Sequence, residues 1–362
     1  MKVGIIGAGQ LGRMLALAGY RLGIQCVFLD PDARSSGGQV GRVIEGALDD
    51  LPLIRRLAQE VDVLTFDIEN ISADDLRDAR TGIPVYPPPA ALAVARDRLN
   101  EKLLFEEIGF PAADYVKVDS AADLDTVAAR LDWPVVLKAR HLGYDGRGQR
   151  VVHAAEDLER AWEGLGGAFA IAEAWVDFER ELSLIGVRDR HGETAFYSLT
   201  ENVHDDGILA SSFAPFEDVA LQADAERCMT AIMQRFDYCG VLTVEFFRTD
   251  QGLIANEIAP RVHNSGHWTI EGAETSQFEN HLRAILGWPL GSTVPRGYAV
   301  MLNLLGRLPP KERLLAVPGV HFHDYGKTPR PRRKLGHCTL VDADKQRLMQ
   351  RRRRLESVVA AP

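Results

Sequence analysis

Two glutamates, Glu245 in "GVLTVEFF" and Glu257 in "LIANEIA", each interrupt an apolar run. The runs are joined by "RTDQG", a turn-forming stretch, so they read as an antiparallel hairpin centred near Gln251. That register sets the two glutamates opposite each other. Carboxylates facing at ~4 Å repel by ~4 kcal/mol at an effective dielectric of 20, and a shared cation reverses the sign. Oxygen-only ligation with positions left for phosphate suits magnesium, or manganese in its place. A register one residue off would turn one glutamate to water.

The same strand runs into "NEIAPRVHNSGHW", Asn256 to Trp268, which gathers a carboxylate, an arginine, two histidines, amides and a serine. His263 and His267 are four apart, but in a Pro- and Gly-punctuated segment without cysteine, which disfavours zinc. With Glu257 on a cation, Arg261, His263 and Asn264 would line the space where a terminal phosphate meets a small acceptor anion. His267 and Trp268 pack.

Upstream, "VVLKARHLGYDGRGQRVV" ends an apolar strand on Lys138 and returns as a second strand after a turn carrying Gly143, Tyr144, Asp145, Gly146, Arg147, Gly148 and Gln149. Backbone amides and cations on such a hairpin can close over a polyphosphate. A lysine at the inner end of an apolar strand is costly to bury without an anionic partner. The Walker pattern GxxxxGK[ST] is absent. At the start of the chain, Gly7, Gly9 and Gly12 of "GAGQLG" form GxGxxG, with Asp30 at about the distance a dinucleotide fold places its ribose acid. A tight turn and helix start of this kind binds an anion without saying which; a glycine turn that merely packs helix on sheet is the alternative.

These residues need elements to hold them. "KVGIIG", "QLGRMLALAGYRLG", "QCVFLD", "LDDLPLIRRLAQEV" and "DVLTFDIEN" alternate strand and helix, which implies parallel strands with crossover helices and an α/β first domain over 1–90. "GIPVYPPPA" breaks the pattern with four prolines. One helix from Ala91 through "ALAVARDRLNEKLLFEEIG", several strands including "AIAEAWV" and "TAFYSLTENVH", and two further helices give an α+β second domain, 91–292, and a small tail domain, 293–362. The chain of 362 residues carries a net charge of -9, which argues against a general nucleic-acid binder. Four scattered cysteines without CxxC spacing fit a reducing cytoplasm rather than a disulfide framework. The first residues could pass for a leader, yet Gln10, Arg13 and the glycines interrupt it, and no run nears the ~18 apolar residues of a membrane span.

Together the segments "GAGQLGRML", "DRLNEKL", "VVLKARHLGYDGRGQ", "EAWVDFERELS", "ENVHDDGIL", "GVLTVEFF", "NEIAPRVHNSGHWTIEGAETSQFENHLRAILGWPLG", "MLNLLG" and "YGK…RRKLGH" resemble the ATP-grasp superfamily and, within it, the N5-carboxyaminoimidazole ribonucleotide synthetase family. They run in order from Lys2 to about Val341. The resemblance implies a Rossmann-like amino-terminal domain, a two-lobed ATP-grasp domain, a small carboxy-terminal domain and a homodimer. It implies ATP between the lobes, with Arg98, Lys138 and the turn from Gly143 to Gln149 on phosphates, Glu173, Ala174, Trp175 and Val176 at adenine, Glu181 at the ribose and His204 beside it. Asn256 and Glu257 complete the nucleotide site, with Glu245 and Glu257 on the metal. Gly9, Gln10, Leu11, Glu69, Asn264 and Arg333 would hold the ribonucleotide, and Arg261, His263 and Lys334 the reacting anion.

The family usually has glutamate where this chain has Asp67 and proline where it has Val262, leaving Glu69 as the acidic contact to the aminoimidazole. The implied activity is ATP- and bicarbonate-dependent carboxylation of 5-aminoimidazole ribonucleotide in purine synthesis. Against it stand an NAD(P) oxidoreductase built on the first domain, a nucleic-acid or scaffold protein using the basic "QRRRRLE", and another ATP-grasp ligase or formate-using transformylase.

Overall fold

The first four strands are short, and the two at the centre of their sheet carry apolar runs sealed on both faces, as parallel strands between helices require. The structure, a computed structural model, describes residues 1–78, 82–141, 148–167 and 169–361. Its first sheet is parallel, in the order Arg42–Glu45, Gln25–Asp30, Lys2–Ile6, Val63–Phe66. The edge strand Arg42–Glu45 escapes a sequence reading because "RVIE" is four residues with charged ends. Val3, Ile5 and Leu15 of this domain share one apolar core with Ile185, Trp268 and Leu282. The amino-terminal domain is thus welded to the second domain.

A second, antiparallel sheet of four strands runs Tyr115–Val118, Ala170–Ala174, Val135–Ala139, Gln149–Val152. It sets Lys138 opposite Gln149 across the glycine turn. The third sheet has nine strands: Gly252–Ala259, Gly240–Thr249, Arg180–Arg188, Thr200–Asp205, Ile208–Ala214, Tyr298–Leu305, Lys334–Asp342 and Val320–Asp324 in order, with Thr194–Phe196 paired to Arg180–Arg188. The strands expected of a tail domain therefore extend the large sheet without a break, Tyr298–Leu305 pairing with Ile208–Ala214.

Two elements differ from expectation. The single helix read from Ala91 is two, Pro89–Ala95 and Arg98–Glu107, because the Asp97 side chain accepts from Leu99 N (3.0 Å) and caps a new start. Asp97 is itself fixed by Arg140 Nε (2.9 Å). "TAFYSLTENVH" likewise splits into Thr194–Phe196 and Thr200–Asp205 around buried Tyr197, whose hydroxyl donates to Thr275 O (2.9 Å).

Candidate active site

Glu245 pairs with Glu257 in the antiparallel register, and the ladder shifts immediately after Glu245, so that Ala255 meets Phe246 and Asn256 is the extra residue. The bulge sets Asn256 beside Glu257, opposite the step from Glu245 to Phe246. Burial first, and the facing Glu257 second, push the Glu245 carboxyl up to about 8. Among the described residues the buried Asn256 Oδ1 meets no hydrogen-bond partner. Two opposed carboxylates and an orphaned amide oxygen form a hard donor set that fits a divalent cation. Arg98 Nη1 donates to Glu257 Oε2 (3.3 Å), and His263 Nε2 lies 3.6 Å from Glu245 Oε1. Arg98 thus reaches a candidate metal ligand from the first turn of the helix that Asp97 starts. On the neighbouring strand Glu181 accepts from His204 Nδ1, which raises the His204 imidazole above its ordinary value against the pull of burial.

Lys138 does have an anionic partner, but an internal one. Its Nζ donates to Glu173 Oε2 (2.9 Å), and Lys102 Nζ lies 3.1 Å from the same oxygen, all three side chains being buried. Glu173, expected at the adenine, therefore turns its carboxylate inward. The strand ends at half-buried Ala174, and beyond it Trp175 is 47% exposed, followed by Val176. Gly143, Tyr144, Asp145, Gly146 and Arg147 lie outside the described residues. Gly148 holds φ +74, open to glycine at little cost, and Gln149 begins the return strand.

At the first turn the fingerprint encloses a carboxylate of the protein itself. Asp67 Oδ2 accepts from Gly9 N (2.7 Å) and Gly12 N (2.9 Å), and a Cβ on Gly7 would stand 1.9 Å from Asp67 Oδ1. Asp30 Oδ2 takes Ala8 N (2.8 Å). The glycines are needed because this acid fills the turn, and the Gly9 N–H is spent on it. Burial pushes the Asp67 carboxyl up to about 6, with the Gly12 and Gly9 N–H groups working against it. Leu11 is buried in the core, while Gln10 Oε1 accepts from Lys327 Nζ.

The segment after Glu257 is held from behind. Gln277 Nε2 donates to His263 O (2.6 Å) and its Oε1 accepts from His263 N (2.9 Å); Ser183 Oγ donates to Ser265 Oγ (2.8 Å). Ser265 N donates to His263 Nδ1 (3.3 Å), so the neutral ring carries its proton on Nε2, toward Glu245. Burial, then Arg261 and Lys334, keep that imidazole well below its ordinary value and neutral. Arg261 Nη2 pairs with Glu69 (3.0 Å) and Nη1 donates to the carbonyl of buried Val262 (3.0 Å). Glu69 thus meets a cation rather than facing open space. Asn264 Nδ2 donates to Asn303 Oδ1 (3.1 Å) and its Oδ1 accepts from Asn303 Nδ2 (2.7 Å), which fixes the amide and leaves one N–H and one lone pair outside that pair. Lys334 begins its strand near Glu245, whose carboxyl its charge lowers, and Arg333 Nη1 donates to Thr328 O (3.1 Å) on its own loop.

Three family models cover the chain in sequence. The ribonucleotide synthetase preATP-grasp domain matches residues 1–96, the ATP-grasp domain 103–278 and the phosphoribosylaminoimidazole carboxylase C-terminal domain 299–351. The N5-carboxyaminoimidazole ribonucleotide synthase of Pseudomonas aeruginosa is 49% identical over 361 residues, 100% of both chains. The chain belongs to the N5-carboxyaminoimidazole ribonucleotide synthase family. The Escherichia coli synthase is 39% identical, covering 96% of this chain and 92% of its own. The crystal structure of the synthetase from Thermus thermophilus superposes with a TM-score of 0.95 at 48% identity over 99% of each chain. The Aspergillus clavatus synthase in complex with ADP and 5-aminoimidazole ribonucleotide gives 0.92 at 32% identity, over 99% of this chain and 98% of that one.

Within this synthase-family chain, sequence reasoning passed over Glu101 and Lys102, which are 3% and 1% exposed. "DRLNEKL" carried the signal, since Arg98, Glu101 and Lys102 fall at i, i+3 and i+4 on one helix face. Part of the basic tail is tied into the fold: Arg347 grips Asp342 through Nε (2.7 Å) and Nη2 (2.6 Å), and Arg351 binds the same carboxylate. Among the described residues no helix is long and apolar enough to cross a membrane.

Proposed function

We propose that this chain is the ATP-grasp ligase that carboxylates 5-aminoimidazole ribonucleotide to N5-carboxyaminoimidazole ribonucleotide, with ATP and bicarbonate, in purine biosynthesis. The observation that carries the reading is the Glu245–Glu257 pair with the unpartnered Asn256 Oδ1 beside it and Arg98 on one of the two carboxylates. Glu245, Glu257 and Asn256 would hold magnesium, or manganese, which when bound draws negative charge off the phosphate oxygens. A bicarbonate oxygen attacks the γ-phosphorus, the bond to ADP breaks, and carboxyphosphate forms. The exocyclic amine of the ribonucleotide then takes the carboxyl carbon, directly or as CO2, loses a proton and releases phosphate.

Lys138 and Arg98 are the cations placed for the transferring phosphoryl group. Arg261 and Lys334 are those placed for the acceptor anion, and the neutral His263 offers an Nε2–H donor toward the same space. Gln10, Lys327 and Arg333 are assigned to the ribonucleotide and its phosphate. Four free, buried cysteines accord with a reducing cytoplasm, and we place the enzyme there as a homodimer, which sedimentation would check.

ADP release tests the assignment. It should require both 5-aminoimidazole ribonucleotide and bicarbonate; equally fast release with formate and another ribonucleotide would overturn the substrate assignment and leave ATP-grasp chemistry standing.

A further inference from the structure

The helix Arg98–Glu107 lies against both halves of the nucleotide cleft through three residues on one face. Arg98 donates to Glu257 (3.3 Å), Glu101 Oε1 accepts from Ile258 N (2.8 Å), and Lys102 pairs with Glu173 (3.1 Å) on the small sheet. Lys138 donates to the very oxygen that Lys102 meets. Glu173 is thus shared by two ammonium groups where one would neutralise it. Burial alone would raise its carboxyl, yet Lys138 and then Lys102 hold it down at about 2.

A lysine that must grip phosphates has a difficulty if its resting partner is a buried carboxylate, since leaving would strand that charge in a low-dielectric interior. A second, permanent counterion removes the difficulty. We propose that Lys102 is a positioning residue for nucleotide binding: it keeps Glu173 paired when Lys138 turns to the polyphosphate, so that the exchange costs little. Helix Arg98–Glu107 thereby ties the release of Lys138 to the same element that steadies Glu257 and Ile258. This rests on the reading of Lys138 as a phosphate-binding lysine.

The test is the Kd of ADP with magnesium, with the KM for ATP alongside, in variants of the full chain. Lys102→Met should weaken ADP binding by about tenfold or more, and Lys102→Arg should stay within about threefold of wild type. In a Glu173→Gln background the Lys102→Met change should cost under about twofold, because no carboxylate is left to compensate. Equal losses in both backgrounds, or no loss in either, would overturn the inference. Should Lys102→Met not fold, the double variant decides: folding with ADP affinity near that of Glu173→Gln supports the exchange, and failure to fold overturns it. Lys138→Met separates the underlying reading, which falls if that variant binds ADP as wild type does; if it weakens binding while Lys102→Met does not, only the exchange falls.

Discussion

Replacing Asp67 by asparagine should make the protein more stable at neutral pH, although it removes a charge that accepts two backbone hydrogen bonds. The carboxyl ionises at about 6 in the folded chain against an ordinary value of 3.8. Below the lower value both states hold the proton and no difference arises. As pH rises toward the higher one, the unfolded chain releases its proton while the folded chain retains it, so stability falls, and above it the whole deficit, about 3 kcal/mol, has been incurred. Asparagine presents a carbonyl oxygen to Gly9 and Gly12 at the same length and never ionises. Asp67→Asn should therefore match wild type near pH 4 and exceed it by roughly 2–3 kcal/mol at pH 7.5, read by urea unfolding at both pH values. A variant weaker by the same amount at both would show that the two N–H bonds outweigh the burial of the charge, and the reasoning would fail.

Glu257→Gln should leave the fold intact, since it relieves two opposed carboxylates, and lower turnover by about two orders of magnitude or more in an ADP-release assay. Normal turnover would remove the cation from this place. Asn303→Ala leaves the buried Asn264 amide unpaired and should cost about 1–3 kcal/mol in urea unfolding. Adding Asn264→Ala should cost less than the sum of the two single changes. Arg347 and Arg351 hold the Asp342 carboxyl well below its usual range, so its contribution is present at neutral pH and fades as pH falls through the acid range. Asp342→Asn should lower Tm at pH 7, with a deficit that shrinks on acidification.

Much of the cleft was legible because its signals are local. Glu245 and Glu257 sit in apolar runs flanking one turn, and a strand's period of two fixes which residues meet. The helix break at Asp97 was missed, although "RDRLNEK" sets an N-cap residue inside the helical pattern. What escaped was pairing over distance. Lys138 was rightly expected to need an anion, but Glu173 is 35 residues away on the adjacent strand, and a buried lysine does not announce which acid it meets. The pairing of Asn264 with Asn303, 39 residues on, has no local signal either. Asp67 inside the glycine turn escaped for a chemical reason, since a side-chain carboxylate and a phosphate ask the same thing of a turn: close N–H groups and no Cβ.

The unbroken ladder from Gly252–Ala259 to Val320–Asp324 has a mechanical consequence. Hydrogen bonds run continuously from the acidic hairpin out to the strand that starts at Lys334, so the far end cannot swing as a flap without shearing that ladder. Among the described residues the antiparallel four-stranded sheet pairs no strand with the large one, and Ala112, just before it, meets Ala255 in an isolated bridge. Cutting the chain after Ala214 and expressing the remainder separately would bare the long edge of Tyr298–Leu305, an invitation to aggregate rather than a module.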